Sequence, residues 1–330
     1  MPITTPPVYR RPDLPPRVRI WEVGPRDGLQ HEPSVVPAAV KAELVTRLVA
    51  SGLSTVEVTS FVNPSWVPQL ADAEEVYSLL EPLLVRADGP RLPALVPNMA
   101  GLERATACGV RDVCVFVSAT ETFARRNLNR SRDEALAMSV PVVAGARAAG
   151  MGVRAYASMC FGDPWEGEVA PDDVVSVCTR LLDMGCDQVS LGDTIGVATS
   201  GQVIDLLDAL ARAGIGEDRL AVHFHDTYGQ ALTNTMTALS NGITTVDASA
   251  GGIGGCPFAK SATGNLATED LCWALAGAGI ETGVDLGGLV ETSAWMASVL
   301  GRPSPSNVVR ALGAALAGDA RGVDAAEEEA

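Results

Sequence analysis

The chain has 330 residues, 47% of them hydrophobic, and a formal net charge of −16. That is ample apolar material for a large globular core, and the acidity excludes a general nucleic-acid or anionic-membrane binder, which needs an electropositive face. Seven scattered cysteines without a C-x-x-C pair exclude a disulfide framework or structural zinc knuckle, and no apolar run reaches the roughly 18 residues of a membrane helix.

A reducing cytoplasm is therefore the expected setting. Residues 1–17 carry proline and arginine but no apolar h-region, so they read as a disordered tail and not as a secretory signal. From Val18 onward, short β-branched runs alternate with longer amphipathic stretches. The expected strands are VRIWEV (from Val18), TVEVTSF (Thr55), RLPALVP (Arg91), DVCVFVSAT (Asp112), GVRAYASMCF (Gly152), DQVSLGDT (Asp187), RLAVHFHD (Arg219) and TTVDASA (Thr244). Between them lie helical patterns such as Pro37–Gly52, Ser131–Gly150, Pro171–Gly185 and Gly229–Gly242, several ending in a glycine suited to a helix C-cap. Asn265–Gly279 reads as the eighth helix and Leu286–Gly301 as an additional one. Eight β–α units predict a parallel sheet closed into a TIM (β/α)8 barrel over residues 18–312, with a doubly wound open sheet as the alternative; residues 313–330 form a flexible acidic tail.

In a barrel of this kind, function gathers at the C-terminal ends of the strands. The sharpest signal there is His223-Phe224-His225. Residues i and i+2 of a strand face the same side, so both imidazoles, two of only three in the chain, share one space. The best carboxylate partner is Asp27, in the loop Gly24–Gln30 after the first strand, and the best amide is Asn265. Asp226 and Asp193 are rivals that fit equally as supports of a histidine or a loop. Such an N/O set without thiolate suits a six-coordinate divalent ion, Mg²⁺ or Mn²⁺, before structural zinc. Beside a metal, Arg26 gains a use in stabilising charge on an enolate oxygen. Other strand-end polar residues are Glu57, Thr59, Ser60, Arg154, Tyr156 and Ser190. The loop Gly251–Pro257 lacks the third glycine of a dinucleotide fingerprint; it reads as a mobile flap carrying Cys256 over the barrel mouth. Arg125, Arg126 and Asn127 form a basic cluster near that mouth, suited to the phosphates of an anionic substrate.

Taken together, VRIWEVGPRDGLQHE, TVEVTSFVNPSWVPQLAD, SLGDTIGV, AVHFHDTYGQALTN and GGIGGCPFAKSATGNLATEDL resemble 3-hydroxy-3-methylglutaryl-CoA lyases, over about Val18 to Leu286. The resemblance implies a TIM barrel with Asp27, His223, His225 and Asn265 as metal ligands. It makes Arg26 the enolate-stabilising cation, Glu57 a catalytic-site carboxylate and Cys256 the loop thiol placed to protonate the enolate carbon. His223 counts among the catalytic residues, and Gln30, Arg154, Tyr156, Ser190 and Asp193 are assigned to substrate binding, with Glu269 supporting Arg26 from behind. The implied reaction is a retro-Claisen cleavage of an acyl-CoA substrate to acetyl-CoA and acetoacetate, as in leucine degradation and ketone body formation, by a homodimer. Asp27, or a water it orients, is the candidate base. Alternatives are cleavage of a longer 3-hydroxy-3-alkylglutaryl-CoA, or Claisen-type condensation of an acyl-CoA with a 2-oxo acid. The Cys256-Pro257 pair speaks against the last. Thr120, Pro33 and SMCFGDPWEG (from Ser158) depart from the family's usual pattern.

Overall fold

The computed structural model describes residues 4–86, 88–255 and 264–313. Eight strands form one parallel sheet: β1 (Arg19–Glu22), β2 (Thr59–Ser60), β3 (Ala94–Leu95), β4 (Asp112–Ser118), β5 (Gly152–Ser158), β6 (Gln188–Asp193), β7 (Leu220–Phe224) and β8 (Thr245–Ala248). Sequential strands pair from β2 through β8, and β8 pairs β1. The remaining seam is closed by a parallel bridge between Glu22 and Val56, where Glu57 N donates to Glu22 O at 2.8 Å. The sheet is thus a closed barrel, as expected, and not a doubly wound open sheet.

The second and third strands are shorter than the sequence suggested. Pro93 and Pro97 flank β3 and have no N–H to give the ladder, so regular pairing there shrinks to two residues. Helices return the chain between strands: α1 (Ala38–Ala50), α2 (Ala73–Leu79), α3 (Glu81–Leu84), α4 (Met99–Ala107), α5 (Glu121–Leu128), α6 (Arg132–Ala148), α7 (Pro171–Asp183), α8 (Ser200–Arg212), α9 (Ala231–Ser240) and α10 (Thr268–Gly277). A capping box, Ser131 with Glu134, starts α6, and Thr199 with Gln202 starts α8. The additional helix α11 (Leu286–Leu300) packs on the barrel, and Val290 buries Val309 and Leu312 against it. Among the described residues no helix is long and apolar enough to cross a membrane.

The segment before β1 differs from the disordered tail expected of it. Tyr9 N donates to Gly277 O, Arg11 N donates to Ala278 O, and Leu14 is buried. Exposed carbonyls at the C-terminal end of α10, left unpaired by any helix terminus, supply the partners.

Alternation along the strands separates two interiors. Outward positions such as Ile20, Val113, Val115, Val153, Val189, Val222 and Val246 join one large apolar core against the helices. Inward positions form a much smaller apolar cluster of Trp21, Val23, Leu95, Cys114 and Tyr156, and the other inward-facing places hold Glu57, Arg154, Ser190, His223 and Asp247, all buried. Burying so many polar groups costs stability unless each finds a partner. Stability of the barrel therefore rests on its outer layer, and the inner layer is given over to a site.

Candidate active site

After β1 the chain makes a tight turn over Gly24–Gly28, in which the N–H groups of Arg26, Asp27 and Gly28 all point at Val23 O. This winding, which no sequence pattern announced, brings two consecutive charged side chains over the barrel interior. Arg26 Nη1 donates to Asp27 Oδ1 at 2.6 Å, and Arg26 Nε donates to Glu57 Oε1 at 2.5 Å. Glu57 is wholly buried and also accepts from Trp21 Nε1 at 2.9 Å, from the Tyr156 hydroxyl and from Cys114 Sγ at 3.5 Å. Burial opposes the charge on Arg26, but Glu57 and Asp27 outweigh it and raise its pKa well above the usual value. The guanidinium is thus fixed, permanently charged and turned toward the cavity.

Asp27, His223 and His225 converge. The two Nε2 atoms are 3.2 Å apart, and each lies 4.0 Å from Asp27 Oδ2. Ligands around a six-coordinate ion with bonds of about 2.1 Å stand about 3 Å apart when adjacent and about 4.2 Å when opposite, so these spacings fit one divalent ion. Among the described residues, Asp27, His223 and His225 are the group of acidic, histidine or cysteine side chains close enough to share an ion. Asn265 completes the set. Its Nδ2 donates to Asp27 Oδ2 at 2.9 Å and to Ile253 O at 3.2 Å, while its buried Oδ1 has no hydrogen-bond partner among the described residues. An orphaned, buried amide oxygen beside a carboxylate and two imidazoles is a donor waiting for a cation.

The residue reaches this place because it is not helical. Asn265 was expected to open the eighth helix, but α10 starts only at Thr268; Asn265 instead lies in extended backbone bridged to His225.

Electrostatics agree with metal binding. Burial would push the Asp27 carboxyl up, yet Arg26, His223 and His225 together hold it far below the ordinary range. Burial and the neighbouring His223 push His225 down to about 3. Both groups are then in the deprotonated form a metal requires.

Above these ligands opens a cavity of about 340 Å³ lined by Arg26, Asp27, Gln30, Tyr156, His223, His225, Trp66, Phe123, Asn127 and Gly255 among others. Gln30 also donates to Asp27 Oδ1 at 2.7 Å. Of the basic cluster, Asn127 lines the cavity, Arg125 pairs with Glu121 on the surface, and Arg126 stacks on Trp165. Cys256 lies outside the described residues. Thr120 is turned away from the cavity and donates to Asp163 at 2.6 Å.

Three residues assigned to substrate binding do not line this cavity. Arg154 and Ser190 sit below it and both donate to Asp247. Asp193 accepts from the Val197 and Ala198 N–H groups, holding the loop after β6, and burial raises its carboxyl to about 6. The place expected of Glu269 is also corrected. It does not reach Arg26: it accepts from Gly251 N at 2.9 Å and from the Ser293 hydroxyl, at the root of the glycine-rich loop. The carboxylate that braces Arg26 is Glu57. Sequence reasoning missed Asp247, Trp21 and His31, the last of which also lines the cavity. The first had a readable signal: it is the one charged residue in the run TTVDASA, at an inward position.

The family model described as HMGL-like matches residues 17–296. The chain belongs to this family. A mitochondrial hydroxymethylglutaryl-CoA lyase of Arabidopsis thaliana is 48% identical over 307 residues, covering 93% of this chain and 64% of that protein, so the chain spans just under two thirds of this relative. The crystal structure of hydroxymethylglutaryl-CoA lyase from Pseudomonas aeruginosa superposes with a TM-score of 0.88 at 46% identity, over 92% of this chain and 99% of that one. A hydroxymethylglutaryl-CoA lyase solved with coenzyme A and 3-methylmalate is 32% identical, with a TM-score of 0.84 over 92% of this chain and 96% of that chain.

Proposed function

We propose that this chain is a carbon–carbon lyase that cleaves 3-hydroxy-3-methylglutaryl-CoA to acetyl-CoA and acetoacetate. The observation that carries the reading is the convergence of Asp27, His223, His225 and the unpartnered Asn265 Oδ1 beside the fixed guanidinium of Arg26. Membership of the HMGL-like family and a CoA-bound relative support the substrate class.

Asp27, His223, His225 and Asn265 would hold Mg²⁺ or Mn²⁺, which when bound supplies Lewis-acid polarisation of substrate oxygens. The residues do the rest. Arg26, held by Glu57, presents fixed positive charge where the thioester enolate develops, and a preorganised donor in a dry site needs no reorganisation as the bond breaks. Asp27 accepts hydrogen bonds on both oxygens and is held strongly deprotonated. It is therefore a weak base, and its part in removing the hydroxyl proton is to orient a water. Cys256, one residue past the cavity-lining Gly255, delivers a proton to the enolate carbon. Gln30, Tyr156 and Asn127 line the cavity, which supports a part for them in holding the acyl-CoA. We further assign the enzyme to the cytoplasm, as a homodimer serving leucine breakdown and ketone-body formation.

Mass-spectrometric product identification from 3-hydroxy-3-methylglutaryl-CoA and from a longer-chain analogue tests the assignment. Acetoacetate and acetyl-CoA from the former are expected. Turnover of the longer analogue alone would overturn the named substrate and keep the reaction class.

A further inference from the structure

The inner layer of the barrel contains a fully buried ion pair that the reaction itself does not use. Asp247, on β8, takes Arg154 from β5 across the barrel through two bonds, Nη2 to Oδ1 at 2.6 Å and Nη1 to Oδ2 at 3.2 Å. Ser190 on β6 donates to the same Oδ2 at 2.8 Å. His223 Nδ1 stands 3.3 Å from the same Oδ2, close to it but without a formed hydrogen bond and with no other partner among the described residues, on the neighbouring strand where His223 and Asp247 are paired in register.

Because His223 and His225 point their Nε2 atoms at each other across 3.2 Å, the tautomer of each ring matters. A proton on His223 Nε2 would occupy the space a cation needs and face a second imidazole nitrogen. A neutral imidazole carries its one proton on the nitrogen that meets an acceptor, and the carboxylate at Nδ1 is such an acceptor. We propose that Asp247 is a positioning residue: it fixes His223 as the Nδ1–H tautomer, so that the Nε2 lone pair faces the metal site, while Arg154 and Ser190 fix Asp247. This inference rests on the metal-site reading above and extends it to residues that touch neither metal nor substrate.

The same layer ties this pair to the other half of the site. The Arg154 guanidinium lies 4.2 Å from the ring centre of Trp21, whose Nε1 donates to Glu57, the carboxylate that holds Arg26. One continuous set of buried contacts thus orients both the enolate-stabilising cation and one metal ligand. It also explains why Arg154 and Ser190 stand at strand positions that look like substrate contacts yet lie beneath the cavity.

The test combines long-range ¹H–¹⁵N spectra of the three histidines in metal-free protein with Mn²⁺ titration by calorimetry, on wild type, Asp247→Asn and Arg154→Lys. The wild type is expected to show His223 protonated at Nδ1. Asp247→Asn is expected to lose that single tautomer and weaken Mn²⁺ binding by about 10- to 100-fold, the usual penalty for removing such a support. Arg154→Lys, which replaces a two-point fork by a point charge, should weaken binding less. Nε2 protonation of His223 in the wild type overturns the proposal without any variant having to fold, and so does an Asp247→Asn protein that binds Mn²⁺ as tightly as wild type. Absence of Mn²⁺ binding by the wild type would refute the metal-site reading instead, and the spectra would still judge the part played by Asp247.

Discussion

Replacing Glu57 by glutamine is the substitution whose consequence can be worked most fully from the geometry. All four groups around the carboxylate are donors: Arg26 Nε, Trp21 Nε1, the Tyr156 hydroxyl and Cys114 Sγ. An amide keeps one acceptor oxygen but turns an NH₂ toward Arg26 Nε on one side or Trp21 Nε1 on the other, both of which can only donate, in a place with no access to water. A buried polar group left unsatisfied costs about 1–3 kcal/mol, and breaking a buried ion pair from one side costs about 3–5 kcal/mol. Because Arg26 keeps Asp27, the lower half of that range applies, and we expect a loss of about 3 kcal/mol. That is a large part of a total stability of about 5–15 kcal/mol, so the variant should fold with a clearly lower urea midpoint. Its kcat should fall by about 10²–10³, as when a preorganised oxyanion donor is displaced. Urea denaturation followed by circular dichroism, run as a double-mutant cycle with Arg26→Met, measures the coupling directly. The two substitutions together should cost about 2 kcal/mol less than the sum of the singles. A Glu57→Gln loss below about 1 kcal/mol, or simple additivity in the cycle, would refute the argument that Glu57 holds a buried cation.

Other consequences are as specific. Addition of Mn²⁺ at a hundred times its dissociation constant should stabilise the protein by about 2.7 kcal/mol, seen as a rise in melting temperature; His225→Ala should abolish the rise, and an unchanged rise would remove His225 from the site. Gly254 has a φ of +127°, and a Cβ there would stand 2.5 Å from Asn265 Nδ2, whereas a Cβ on Gly255 meets nothing within 4 Å among the described residues. Gly254→Ala should therefore cost about 1–3 kcal/mol and weaken Mn²⁺ binding, while Gly255→Ala should do neither; equal behaviour of the two would contradict this. Burial, with Glu22 close by, raises the Glu269 carboxyl to about 8. Since its unfolded value is about 4.3, the folded state keeps the proton longer, and stability falls as pH rises from about 4.3 to about 8 and then levels off. Urea midpoints should therefore be higher at pH 5.5 than at pH 8.5, with a smaller difference in Glu269→Gln; an undiminished difference would acquit this group.

Much of the molecule was legible because the relevant signals are local. The period-2 step of His223 and His225 and the run of eight β–α units need no tertiary knowledge, and the ladder repeats them. What escaped depended on contacts between distant segments. β2 and β3 shrank because prolines on one strand deny partners to its neighbours. Asn265 was expected among the ligands, but not its extended backbone, bridged to His225 against the helical pattern of its own neighbourhood. Glu269 and Glu57 are both buried carboxylates, and only packing shows that the first holds the Gly251 backbone and the second the Arg26 side chain. Arg154 and Ser190 sit at inward positions like true cavity residues but one layer too deep, and the aspartate they serve is the single charge in its strand.

The central claim is tested most directly by acetyl-CoA release from 3-hydroxy-3-methylglutaryl-CoA, measured with Mg²⁺ or Mn²⁺, after chelation, and with Cys256→Ser. The account predicts cleavage that needs the metal and collapses in the variant. Absence of cleavage by folded, metal-loaded protein, or full activity of the variant, would contradict it.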